Sequence, residues 1–300
     1  MTEFEEYFAQ EGVSPRAHRT VMLSAFSGWN DADQAATQAL NHLISVYSSQ
    51  AREVEHICCG SFYDYTVMRP VIVNIDGKRK IMWPETTFTE INVNPDLTLL
   101  IQIAPEPNFK WTEYCQRSLR IAEEREVDEV ITIGSMYADC THTRPLPVIF
   151  RDWSDNTAHD DSYTGPIGVP TVLNVQAIDD GFASHGLHIS VPSYAQYVDS
   201  QDNPMAILRI LNVLSDYLGV QLKLGTLSVR SIKWKTQADM LAVDNADIQH
   251  YISAMEKRDD DQEKLNTLTA EAASDLINET EKFLRGFNTD NPSQQLPEQG

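Results

Sequence analysis

Thr20-Val21-Met22-Leu23-Ser24-Ala25-Phe26, followed by Ser27-Gly28-Trp29-Asn30-Asp31, is the stretch that decides the fold. A short apolar run closed by glycine reads as a buried strand ending in a turn. Asn30 is a fitting N-cap, with Asp33 three residues on in the place of a capping-box acid. Residues 32–48 then carry Ala36, Ala39, Leu40, Leu43, Ile44 and Tyr47 at helical spacing. Buried strand, turn and amphipathic helix together are the first half of a βαβ unit, the building block of a parallel sheet.

The same alternation continues along the chain. Strands are predicted at 55–59, 97–103, 129–133, 146–150 and 188–191. Asp76-Gly77 between 71–75 and 80–83 signals a hairpin, because the tight turn needs positive φ. Helices are predicted at 110–126, capped by Asn108, and from 165–168 to about Gly181. Another runs over 204–218, where Asn203-Pro204 gives an N-cap followed by a proline whose missing N–H costs nothing. The expected class is α/β, a mostly parallel sheet flanked by helices. After about Gly225 strand signals stop, and helices are predicted at 229–243, 247–257 and 267–287. The chain thus divides into an α/β core domain, 1–225, and a helical C-terminal extension, 226–300, whose polar tail from 288 is expected to be disordered.

Charge and cysteine usage narrow the function classes. The chain holds 44 Asp and Glu against 23 Lys and Arg, a formal net charge of −21. It repels a phosphate polyanion and has no basic stripe, so no nucleic-acid partner is expected. Between Pro145 and Asn203 the single cation is Arg151, against eight aspartates. A solvated acidic face explains this; a protein partner with a basic surface is the alternative. Asp152, Asp155, Asp160 and Asp161 lack the glycine and closing Glu of an EF-hand loop, and no metal or other cofactor is expected. Cys58, Cys59, Cys115 and Cys140 show no Cys-x-x-Cys spacing and read as buried thiols of a reducing compartment. The opening residues are acidic and polar, and no run approaches the roughly 18–20 apolar residues of a membrane span. A cytoplasmic protein without membrane contact is the expectation.

Polar and aromatic residues gather after the strands, and there lie the candidate ligand or partner residues: Trp29, Asn30 and Asp31 after the first strand; Tyr63, Asp64 and Arg69 after the second. Glu85 and Thr86 follow the hairpin. Asp139, His142 and Arg144 follow the fourth core strand, Tyr163 precedes a helix, and Tyr194 follows a later strand. In open α/β sheets ligands and partners meet the carboxyl ends of the strands, so these clusters are expected along one rim. Each has a bland reading beside the functional one. Asn30 and Asp31 suit helix capping. Arg69 and Arg144 suit bidentate anion binding or pairing with Asp64 and Asp139. His142 beside Asp139 suits acid–base work or loop anchoring. Residues 165–168 before a helix suit an anion, without a dinucleotide or phosphate-loop fingerprint. No catalytic set is complete, and Ser135 lacks a nucleophile elbow.

Gly28-Trp29-Asn30-Asp31, Phe62-Tyr63-Asp64-Tyr65-Thr66, Trp83-Pro84-Glu85-Thr86, His142-Thr143-Arg144-Pro145, Tyr163-Thr164-Gly165-Pro166 and Val191-Pro192-Ser193-Tyr194, in this order, carry a family resemblance. The chain resembles the prokaryotic, chiefly actinobacterial, members of the proteasome assembly chaperone 2 family over roughly residues 18–287. The resemblance implies a nucleoside-phosphorylase-like fold and a homo-oligomer such as a trimer; it implies no catalytic residues. The closing Leu296-Pro297-Glu298-Gln299-Gly300 lacks a hydrophobic-Tyr-any motif, so docking into a protease ring by that route is not expected. Two functions follow as expectations: a non-catalytic oligomeric interaction protein, or a binder or enzyme for a nucleoside- or phosphate-like ligand.

Overall fold

A computed structural model describes residues 18–58, 60–154, 164–262 and 264 of the chain. Among the described residues, nine strands and five longer helices fall in the first of two compact units, Met1–Asn245, and a helix over 246–262 falls in the second, Ala246–Gly300. The strands are β1 (Arg19–Ser27), β2 (Ala51–Ile57), β3 (Val71–Ile75), β4 (Lys78–Met82), β5 (Thr86–Asn94), β6 (Leu97–Pro105), β7 (Glu129–Ala138), β8 (Val148–Asp152) and β9 (Ala183–Pro192). The helices are α1 (Ala35–Val46), α2 (Trp111–Glu124), α3 (Val169–Asp179), α4 (Pro204–Leu218) and α5 (Leu227–Asp244). Seven strands form one sheet in the order β2-β5-β6-β1-β7-β9-β8. The centre, β6-β1-β7-β9, is parallel, while β5 and β8 run against their neighbours. The sheet is therefore mostly parallel with mixed edges.

Alternation along β1 shows why both faces are covered. Val21, Leu23 and Ala25 point into a core shared with α1, α4 and α5, among them Leu40, Leu43, Ile210, Leu214 and Trp234. Met22 and Phe26 point into a second core with Tyr114, Cys115 and Leu119 of α2 and Leu173 and Ala177 of α3. A strand buried on both sides has to be largely apolar, as residues 21–26 are apart from Ser24. The one polar residue within that strand that is fully enclosed, Ser24, donates to Gln102 at 2.8 Å, and Gln102 in turn donates to Ser118 at 2.9 Å. A buried polar group so paired avoids the penalty of an unmade bond.

Local signals explain several element ends. Asn203 accepts from Ala206 N at 3.0 Å and caps α4. Asp76 and Gly77 take φ of 53° and 75°, the left-handed pair that closes a two-residue hairpin. Two caps differ from the sequence expectation. Asp31 rather than Asn30 serves α1, and Asn108 turns away from α2 to accept from Asp64 N at 2.8 Å. Cys115 and Cys140 are buried, whereas Cys58 is exposed and donates to Glu85 at 3.2 Å.

At the amino end of the sheet a polar knot joins four elements. Glu129, 3% exposed, accepts from Arg19 and Tyr217 and lies 2.7 Å from His185 Nδ1. Burial opposes its charge, but His185 and Arg19 outweigh burial and hold the carboxyl below its usual range. His185 is also stacked on Phe150 of the edge strand.

Candidate functional site

The parallel registers place the carboxyl ends of β1, β6, β7 and β9 at one end of the sheet. There β2 ends and β5 begins, Ile57 opposite Thr86. From this end β1 passes into α1 on one face while β6 passes into α2 on the other. Diverging connections between neighbouring strands open the crevice where open α/β sheets receive ligands.

The crevice is closed by its own side chains. Glu106 N donates to Ser27 O at 2.9 Å, and Glu106 Oε1 accepts from Val169 N at 2.9 Å. That carboxylate sits at the start of α3, where the positive end of the helix dipole favours an anion. The N–H that residues 165–168 could have offered to an anion is met here by the chain's own Glu106. Asn30, buried, lies at the same junction: a Cβ on Gly168 would stand 2.0 Å from Asn30 Nδ2 and 2.9 Å from Glu106 Oε1. Gly168 has φ of −97°, so space rather than torsion demands glycine. Gly168→Ala is expected to cost about 1–3 kcal/mol by forcing Asn30 and Glu106 aside; an unchanged thermal midpoint would show that the junction has slack.

The β1–α1 turn is equally committed. Asp31 accepts from Ala36 N at 2.9 Å, Thr37 N at 3.2 Å and Thr37 Oγ1 at 2.5 Å. Burial raises its carboxyl above the usual range in spite of those bonds. Ser135 N donates to Asn30 O at 2.8 Å and Ser135 Oγ to Ala32 O at 2.9 Å, fastening the turn to β7. Asp33 and Gln34 both hold left-handed backbone, at φ of 53° and 55°. Tyr137 Oη at 2.9 Å and Asn203 Nδ2 at 3.1 Å donate to Asp33 and keep it there.

The remaining predicted residues divide clearly. Tyr63 is buried and its hydroxyl donates to Pro105 O at 3.3 Å; Thr86, fully enclosed, lies 2.7 Å from Tyr114 Oη. Asp64 accepts from Thr66 N at 2.8 Å and Thr66 Oγ1 at 2.6 Å, and these bonds lower its carboxyl. His142 is 1% exposed, and its ring contacts Tyr194 and Asp239 rather than Asp139: Nδ1 lies 2.7 Å from Tyr194 Oη and Nε2 lies 2.9 Å from Asp239 of α5. Its backbone N–H also donates to Tyr194 Oη at 2.9 Å. His142 and Tyr194 therefore lock α5 to the core. Arg69 is exposed and has no ion pair among the described residues, while Arg144 is half-buried and engaged. Their loops leave β2 and β7, four strand spacings or about 19 Å apart. Glu85 accepts from Cys58, Asp139 is engaged, and Tyr163 lies outside the described residues, as do Asp155, Asp160 and Asp161.

A cavity of about 180 Å³ opens beside the turn, lined by Asp33, Gln34, Gln196, Asp202 and Trp234. It is smaller than the roughly 300 Å³ at which small-molecule sites begin. A wider groove of about 640 Å³, at Arg120, Glu123, Asp128 and Asp180, lies at the other end of the sheet. Neither contains Arg69 or Arg144.

Apolar side chains, by contrast, face outward along the rim. Trp29 is 55% exposed, and Trp83, Phe109, Tyr137, Ile167 and Tyr197 are exposed on the neighbouring loops and strand ends. Trp83 packs at 4.8 Å on Tyr65. Single exposed apolar residues are ordinary; these lie together at one end of the sheet. Sequence reasoning found Trp29 and passed over Phe109, Ile167 and Tyr197, whose exposure depends on the loops that carry them. Glu106, in the cluster Ala104-Pro105-Glu106-Pro107-Asn108 that sequence reasoning places on the rim after the third core strand, was not singled out as a candidate, although Pro105 and Pro107 mark a fixed backbone there.

These features define a three-layer α/β protein with a self-satisfied polar crevice and an aromatic rim. The profile of the PAC2 family matches residues 25–242, and the chain belongs to that family. The chain is similar to a PAC2 family protein from Streptomyces avermitilis, with 31% identity, TM-score 0.70, and 78% of this chain and 99% of that one covered. It is also similar to a proteasome-assembly chaperone homologue from Mycobacterium tuberculosis, with 30% identity, TM-score 0.69 and coverage of 77% and 99%. An archaeal proteasome activator from Pyrococcus furiosus shares the fold at 15% identity, with TM-score 0.58 and coverage of 78% and 96%. No curated protein matches the chain. Among the described residues no helix is long and apolar enough to cross a membrane.

Proposed function

We propose that this chain is a non-catalytic, homo-oligomeric interaction protein of the cytoplasm, akin to assembly chaperones, that receives a protein partner on its aromatic rim. The observation that carries this reading is a division of labour at the rim. Asp31, Glu106 and His142 are spent on capping and clamping, while Trp29, Phe109 and Tyr197 face solvent. A catalytic site needs the reverse, a reactive group within reach of substrate. Aromatic residues on a surface supply large contact area at small entropic cost, as they do in protein interfaces. The chaperone homologue among its relatives supports the same direction. A net charge of −21 favours a partner with a basic face and a salt-sensitive association rate.

The test is affinity capture from native lysate with the full chain and with a Trp29→Ser, Phe109→Ser variant. The full chain is expected to retain a stoichiometric protein at low salt and release it at high salt. The variant, folded to the same thermal midpoint because both side chains are exposed, is expected to lose it. Recovery of the bare chain alone, or equal capture by the variant, overturns the reading.

A further inference from the structure

The β3–β4 hairpin stands apart from the seven-stranded sheet as a two-stranded ladder of its own, Val71 opposite Met82 and Ile75 opposite Lys78. Two-stranded ribbons are at best marginally stable in water without a surface to pack on. This one carries apolar side chains on both faces. Val71, Ile75 and Met82 lie on one face and the cross-strand pair Ile72–Ile81 on the other, all between 40% and 67% exposed. Burying one face against the chain's own body would have left the other to solvent; here both faces keep exposed apolar side chains, with Val73 half-buried between Val71 and Ile75.

Charge says what covers it. Residues 71–82 hold Lys78, Arg79 and Lys80 against Asp76 alone, a net +2, so the rest of the chain carries −23. The arm is a cationic, apolar stretch of a mostly acidic molecule; residues 221–238, with Lys223, Arg230, Lys233 and Lys235 and no acid, are a second one, but there Arg230 is already paired with Asp202. Two arms packed together would crowd six cations, whereas an arm on the body of another copy brings opposite charges together and buries isoleucines. We propose that the hairpin is an exchange arm that docks on the acidic body of a second copy of this chain, in reciprocal or ring fashion. This deepens the oligomeric part of the function proposed above and is independent of the rim surface.

Sedimentation velocity and light scattering on the full chain test it. The unaltered chain is expected to run as one oligomer at low salt and to dissociate as salt rises. Ile72→Thr with Ile81→Thr keeps strand propensity while removing the apolar pair, and is expected to weaken self-association about a hundredfold and give the mass of one chain. A Lys78→Glu, Arg79→Glu, Lys80→Glu variant is expected to do the same by charge alone. Both variants should keep the far-ultraviolet circular dichroism of the parent, because the arm contributes nothing to either core. A chain that is monomeric throughout, or two arm variants that retain the parental mass, overturns the exchange arm. The rim variant tests the other reading separately: it is expected to lose the captured partner and keep the oligomer.

Discussion

Glu129→Gln is expected to lower the thermal midpoint by roughly 5–10 °C. The side chain is 4% exposed and is shared by Arg19, Tyr217 and His185. Removing one member of a buried pair costs roughly 3–5 kcal/mol. Arg19 is 37% exposed and recovers part of its hydration, so roughly 2–3 kcal/mol is the appropriate figure here. The pH dependence identifies the cause. Although burial alone would raise it, the carboxyl titrates lower in the folded than in the unfolded chain, since His185 and Arg19 favour its charge. A depressed pKa contributes stability above the unfolded value, roughly 4.3, and that contribution is lost as pH falls through the folded value. The gap between parent and variant should therefore be widest near neutral pH and close below pH of about 4. A gap that stays constant in acid would assign the loss to packing rather than charge.

Trp234→Ala carries the second large effect. Trp234 is 2% exposed on α5, between the buried Leu227 and Ala238, and its ring meets His142 edge-on at 6.4 Å. Truncating a buried tryptophan removes its transfer free energy and leaves a void, together about 3–5 kcal/mol. The void would merge with the cavity that Trp234 already lines. The denaturant midpoint should fall accordingly, and limited proteolysis should cut within Leu227–Asp244 before any sheet strand. Cleavage spread evenly over the chain would show that α5 and the sheet melt as one unit.

The residues that proved readable are those whose neighbours in space are also neighbours in sequence. The strand–turn–helix at residues 20–47, the Asp76-Gly77 turn and the Asn203-Pro204 start each depend on contacts within a few positions. β5 was missed because Thr86-Thr87-Phe88-Thr89-Glu90 has few apolar residues to alternate. Thr86 and Thr89 are nonetheless buried, the first bonded to Tyr114. β9 begins at Ala183, five residues before its predicted start, because Ser184, His185 and Gly186 resemble a loop until Asn174 and Glu129 are placed beside them. The site residues follow the same rule. The strand ends could be assigned to one rim from the βα order alone. The partner of His142 could not, since Asp239 is 97 residues away and Asp139 is the nearer acid in sequence.

Glu106 at the head of α3 has a consequence for selectivity. Tethered by its own backbone, this carboxylate is a resident competitor at very high effective concentration. A dissolved phosphate or nucleotide would have to evict it before reaching the Val169 N–H. With that N–H already met from within the chain, inorganic phosphate is expected to gain little at the head of α3.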